Sequence, residues 1–173
     1  LEQEAASVQL FLSCVSRHAH RSELDASDVQ NARRVCTLVH GLPLAIELAA
    51  SWAIHYGIDE IADGIASRLA FLDTSSTAMD QRHSSIQEII NTSIEHLPEV
   101  GKESLGALTV FAHTFSREAI LEILGITVAD LAILTDSSLL QVPSSGVYQL
   151  HPLVKECLIA EMTKDGVPET EAA

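Results

Sequence analysis

Two short segments of the chain combine residue types that could contact an anion or an aromatic base. The first, Gly41-Leu42-Pro43-Leu44-Ala45, lies between two apolar stretches. Gly41 can adopt a positive φ and end one helix, whereas Pro43 suits the first turn of the next, where its missing N–H costs nothing. Such a helix start offers N–H groups to an anion and a flat apolar ring to a base. The same residues are also typical of an ordinary helix connector.

The second segment is Leu150-His151-Pro152-Leu153. His151 follows a predicted strand and precedes Pro152 at a predicted helix start, where an imidazole can donate a hydrogen bond to a phosphate. The alternative is that His151 is a surface or helix-capping residue.

Other kinds of site lack the residue patterns they need. The chain has neither a GxxxxGKS or GxxxxGKT phosphate loop nor an acidic strand end for Mg²⁺, so we expect no ATP hydrolysis by this chain alone. There is no GxSxG nucleophile elbow, and His18 and His20 are spaced poorly for a metal. Cys14, Cys36 and Cys157 form no CxxC pair, which favours buried, reduced thiols. We therefore predict no catalytic or metal-binding residues.

Composition predicts a folded, helical protein with an acidic surface. Hydrophobic residues make up 47% of the 173 residues, aromatic residues only 4%, and the net charge is −14. An acidic surface repels nucleic acid and anionic membranes, because binding them requires Lys and Arg. Residues 35–54 are apolar but contain Gly41, Pro43 and Glu47, which favours a helix–turn–helix over a membrane span. We expect a cytoplasmic protein and, because the chain starts at Leu1, an excised fragment.

The hydrophobic periodicity predicts a mainly α fold in two parts. Apolar stripes predict helices at 4–19, 26–39, 43–56 and 58–72, and residues 73–85 have the composition of a linker. Farther along, Ser116 and Thr127-Val128-Ala129-Asp130 are helix-start signals, and two strands at 139–142 and 147–150 flank a turn. We predict a four-helix bundle at 1–78, a winged-helix domain with a small β-hairpin wing at 79–163, and a flexible tail at 164–173.

In this order, the two segments resemble signatures of the STAND signalling ATPases, of which the NB-ARC proteins are one branch. The resemblance covers about residues 1–160, corresponding to the helical subdomain and the winged helix without the P-loop domain. Further matches are Glu4-Ala5 with Leu10-Phe11, Arg82-His83-Ser84 with Ser93, Leu97, Leu108 and Phe111-Ala112, and Ser137-Ser138-Leu139-Leu140.

The resemblance implies which residues contact a nucleotide. Gly41, Leu42 and Pro43 would line its adenine side, with Pro43 against the base, and His151 would hold the β-phosphate of ADP. The family's Met-His-Asp-like motif has Leu150 and Pro152 here in place of Met and Asp, so the acidic neighbour of the histidine is missing.

The resemblance also implies a function. The chain would be a non-enzymatic regulatory module that closes over ADP held by the P-loop domain of the same polypeptide. Exchange of ADP for ATP would gate homo-oligomerisation or signalling, in a bacterial transcriptional regulator. ADP or ATP would be the cofactor of the full-length protein, with none bound tightly to this chain alone.

Two alternatives belong to other functional classes. One is a DNA-binding winged helix, but its recognition helix at 127–136 would carry Asp130 and Asp136 and no Lys or Arg, which is the wrong charge for phosphates. The other is a protein-interaction module that binds no nucleotide and differs from the first hypothesis only at Pro43 and His151.

Overall fold

The computed structural model describes residues 2–19, 24–69 and 78–165, and most of these are helical. A small antiparallel sheet accompanies the helices, so the predicted mainly α class with a small β element is confirmed. The α-helices are α1 (Glu2–His18), α2 (Ala26–Leu38), α3 (Pro43–Ser51), α4 (Ile58–Leu69), α5 (Ala78–Glu95), α6 (Glu99–Ala107), α7 (Arg117–Ala119), α8 (Val128–Asp136) and α9 (Pro152–Asp165). The strands are β1 (Phe115–Ser116), β2 (Leu140–Ser144) and β3 (Val147–Leu150).

The described residues form two compact units. The first comprises those of Leu1–His96 together with Asp136–Ser138, and the second those of Leu97–Thr135 and Leu139–Ala173. Helix α5 belongs to the first unit because it packs against α3 and α4. This division falls after His96, whereas the sequence prediction placed the start of a second domain at residue 79.

The first unit is built around α3, which is buried on nearly all sides. Helix α1 packs on α2 and α3, and α2 packs on α4. Every residue of α3 except Pro43 and Glu47 is buried, as expected for a helix surrounded by others. Each large apolar side chain buried here contributes about 1.5–3 kcal/mol. The largest fully buried side chains of this unit are Phe11, Ile46, Leu48, Ile58, Ile65, Ile89 and Ile90.

The second unit contains the three-stranded sheet, in the order β1-β3-β2. Strands β2 and β3 form the predicted hairpin around Ser145 and Gly146, with Gly146 at φ 74°. Their pairing is irregular between Gln141 and Ser144, where Pro143 lacks an N–H to donate. Strand β1 was not predicted, because two residues show no periodicity; Phe115 pairs with Tyr148.

Side-chain caps confirm the two predicted helix starts at Ser116 and Thr127, and a third cap lies at the start of α2. Asp25 accepts from the N–H of Asp28 at 2.8 Å, and Asp28 accepts from the N–H of Asp25, which makes a capping box. Thr127 and Asp130 exchange the same pair of bonds. Ser116 accepts from the N–H of Ala119 at 3.2 Å. These interactions span three residues, which explains why the sequence alone reveals them.

The predicted linker at 73–85 is wrong where the structure describes it. Residues 78–85 are the first turns of α5, and residues 70–77 lie outside the described ranges. Polar composition is a weak predictor of a linker at these residues, because packing against other helices can override low helix propensity. Of the predicted tail, Lys164 and Asp165 belong to α9 and the remainder lies outside the described residues.

Two apolar side chains of helical segments are exposed. Val29 is 37% and Ile123 is 67% exposed. Ile123 lies in a π-helical turn, Ile120–Leu124, whose spacing is wider than the 3.6-residue period of an α-helix. Helix α3 likewise ends at Ser51, five residues earlier than expected, because the chain tightens into a 3-10 turn at Trp52–Ile54.

Candidate functional site

The turn between α2 and α3 has two consecutive residues with positive φ. His40 has φ 56° and Gly41 has φ 67°. The N–H of Gly41 donates to the carbonyl of Cys36 at 2.8 Å, and that of Leu42 donates to Val39 at 3.1 Å. These N–H groups therefore satisfy the carbonyl end of α2. Gly41 has the predicted positive φ, but the first left-handed residue after α2 is His40, which the sequence did not indicate.

Pro43 is the first residue of α3, as predicted from its fixed φ. Leu42 precedes it in an extended conformation and gives the helix no side-chain cap. The Pro43 ring is exposed, whereas Leu44 and Ala45 are buried. The helix start thus presents an apolar ring to solvent on a rigid support.

His151 lies between β3 and α9 and is half-buried. Its Nδ1 atom accepts a hydrogen bond from the backbone N–H of Leu153 at 3.2 Å. The ring therefore acts as a helix cap, which is the alternative that the sequence left open. Because Nδ1 accepts, the proton of the neutral ring is on Nε2, and Nε2 is the donor nitrogen.

The predicted site residues fall in two places. Gly41, Leu42 and Pro43 adjoin one another in one turn of the first unit, and His151 belongs to the second unit. Helix α8, the recognition helix of the DNA-binding alternative, carries Asp130 and Asp136 and no basic residue.

Sequence reasoning missed a cluster of aromatic and imidazole rings in the first unit. Trp52 and His96 meet edge to face, with ring centroids 5.3 Å apart, and Tyr56 lies 5.6 Å from His96. The indole Nε1 of Trp52 donates to Ser93 Oγ at 3.1 Å. Ser93 and His96 lie far along the chain from Trp52 and Tyr56, so no sequence pattern joins the four residues. The only signal in the sequence was that Trp52 is the single tryptophan.

A surface groove of about 610 Å³ runs along α1. None of the predicted site residues lines it. Its lining residues are Glu4, Ala5, Val8, Gln9, Leu12, Ser13, Ser16 and Arg33.

The three cysteines are free and buried, as expected. Burial raises the pKa of all three thiols, that of Cys36 to about 11. Because the thiolate is the reactive form, these side chains are poor nucleophiles near neutral pH. Within the described ranges there is no group of three residues that could hold a metal ion, and His20 of the His18–His20 pair lies outside them. No helix among the described residues is long and apolar enough to cross a membrane.

A scan against protein-family models finds no match for this chain, and a search of curated proteins also finds none. The likeness to STAND proteins therefore stays a prediction from the quoted segments.

Proposed function

We propose that this chain is the regulatory part of a STAND-type nucleotide switch, a helical bundle followed by a winged helix. In this proposal a P-loop module of the same polypeptide holds ADP, and Pro43 and His151 contact the bound nucleotide. Replacement of ADP by ATP shifts the protein to a state that oligomerises and signals. The shift in population follows from the different contacts that the two nucleotides make.

The exposure of Pro43 carries the proposal. Helix starts are most often capped by Ser, Thr, Asp or Asn. Here Leu42 provides no side-chain cap and the pyrrolidine faces solvent. A purine base that packs on this ring would bury it against a support that cannot move easily, because α3 is packed on nearly all sides.

The hydrogen bond of His151 supports the second contact. Leu153 holds Nδ1, so the ring orientation is set and the proton lies on Nε2. An imidazole in this state can donate to a phosphate oxygen without a carboxylate neighbour to select its tautomer. Pro152, which stands where the family has an acidic residue, is therefore compatible with the proposed role.

Charge favours this function over DNA binding. The chain carries −14, and α8 would bring Asp130 and Asp136 to the phosphates of a duplex. Affinity for duplex DNA comes largely from Lys and Arg that neutralise phosphates and release counterions, so we expect no binding of random duplex DNA at physiological salt.

Nucleotide retention in the full-length protein tests the proposal. We expect that protein to be purified with ADP bound, and Pro43→Ala to accelerate ADP release. Pro43→Ala should leave stability nearly unchanged, because the ring is exposed and alanine suits a first helical turn. This chain alone should bind ADP only weakly in calorimetry, because most of the nucleotide site is contributed by the P-loop module.

The matched control is Pro98→Ala, since Pro98 is also an exposed proline at a helix start. It should leave ADP release unchanged. Equal effects of the two substitutions, or micromolar ADP affinity of this chain alone, would contradict the proposal and favour a protein-interaction module that binds no nucleotide.

A further inference from the structure

The last turn of α5 is held by contacts between rings. His96 follows the last residue of α5, and its N–H donates to the carbonyl of Thr92 at 3.1 Å. Its imidazole lies edge to face on Trp52 and tilted by 37° against Tyr56. Trp52 is itself fixed, because it is buried and bonded to Ser93 in α5. The cluster therefore joins the end of α5 to the segment after α3 through a ring that can gain a proton.

The charged groups around His96 come from three elements. Arg68 of α4 and His55 of the segment after α3 oppose a positive charge on the ring, whereas Glu95 of α5 favours it. Partial burial against Trp52 and Tyr56 is the largest influence, since a charged ring loses hydration there. Burial, Arg68 and His55 together outweigh Glu95, so the pKa of His96 lies below its usual value of 6.5.

Arg68 is paired with two carboxylates of α5. Its guanidinium donates to Glu88 at 3.3 Å and to Glu95 at 3.0 Å, which fixes it beside α5. A protonated His96 would lack full hydration against the buried Trp52 and would also lie near the positive charge of Arg68. The least costly response is for the imidazole to turn out into water, because His96 is already exposed on one side.

We propose that His96 is an acid-sensitive contact: its neutral ring holds the last turn of α5 on Trp52 and Tyr56, and protonation releases that turn. This contact is independent of the nucleotide function proposed above. We expect the contact to respond to mild acidification, because histidine is the side chain that normally changes charge in that pH range.

The single tryptophan makes the contact directly observable in this chain. We expect the emission of Trp52 and its indole N–H resonance to change reversibly between about pH 7.5 and about pH 5, with a midpoint below the usual histidine value. Far-UV circular dichroism should stay constant over the same range, because only one helical turn is affected. His96→Gln should abolish the change, and His55→Gln should retain it with a shifted midpoint.

Two results would overturn the proposal. One is a transition of Trp52 that persists in His96→Gln, and the other is an unchanged Trp52 signal in the wild-type chain over this range. Titration of the His96 ring by NMR in the wild-type chain provides a test that needs no variant. A pKa at or above 6.5 would mean that the protonated ring is not disfavoured in this cluster, and the proposal would be wrong.

Discussion

Gly41 approaches α1 so closely that a Cβ atom at this position would lie 3.3 Å from the Oγ of Ser7. The same residue has φ 67°, a conformation that L side chains rarely adopt. Two independent constraints, one from the backbone and one from packing, therefore favour glycine in the turn before Pro43. The position of the exposed proline depends on this turn.

Gly41→Ala should lower the free energy of unfolding by about 1–2 kcal/mol, because a left-handed conformation strains any residue with a Cβ. Urea denaturation of this chain measures the change. Gly64→Ala is the matched control, since Gly64 lies in α4 and a Cβ there meets nothing within 4 Å. This control should instead stabilise the chain by about 0.5–1 kcal/mol. Destabilisation by both substitutions to the same extent would contradict the constraint at Gly41.

Two substitutions at His151 separate its capping role from its proposed contact with phosphate. His151→Ala removes the acceptor for the N–H of Leu153 and should cost about 1 kcal/mol, as for other helix caps. His151→Asn keeps an acceptor near the position of Nδ1 and should cost less. Both lack Nε2, so both should accelerate ADP release from the full-length protein. If only His151→Ala does so, the residue acts through the helix start and does not touch the nucleotide.

The helix starts at Ser116 and Thr127 were predictable because a cap involves residues three positions apart. Pro43 was predictable for a similar reason, since its φ is fixed by its own ring. The starting residue of α5 was not, because its first turns are polar and what places the helix in the first unit is packing on α3 and α4. Strand β1 was also missed, since Phe115 is extended only because Tyr148 pairs with it.

Prediction of the candidate site was limited in the same way, because local backbone conformation could be predicted and contacts between distant residues could not. The residue types in the turn at Gly41 indicated its backbone conformation, and the structure confirms it. The cap made by His151 remained one of two alternatives, because sequence cannot show which ring nitrogen is engaged. The contact of Trp52 with Ser93 joins residues 41 positions apart, and neither has a pattern that predicts the other.

Stability should fall as the pH drops below the usual histidine range. Partial burial lowers the pKa of His18 below 6.5, helped by Arg17 and opposed by Asp136. The unfolded chain therefore binds a proton at a pH where the folded chain does not. The contribution of His18 to the free energy of unfolding is fully present above pH 6.5 and is lost as the pH falls towards the folded-state pKa. Urea denaturation at about pH 7.5 and about pH 5.5 measures this decline.

Two substitutions test whether His18 causes this decline in stability, and they should change its size in opposite directions. His18→Gln should reduce the decline, because the titrating ring is gone. Asp136→Asn should enlarge it, since the carboxylate that favours the protonated ring is removed. An identical pH dependence in the wild type and both variants would show that His18 does not contribute.

Ser93→Ala should lower the free energy of unfolding by about 1–3 kcal/mol, because it leaves the buried N–H of Trp52 without its partner. Ser67→Ala removes a comparable bond from an exposed serine of α4 and should change stability by less than about 0.5 kcal/mol. A double-mutant cycle with Trp52→Phe isolates the bond, since phenylalanine has no N–H to leave unpaired. The two changes should be non-additive by about 1 kcal/mol, with the double mutant more stable than the sum predicts. Strict additivity would mean that the Trp52–Ser93 bond contributes nothing to the cluster that holds the end of α5.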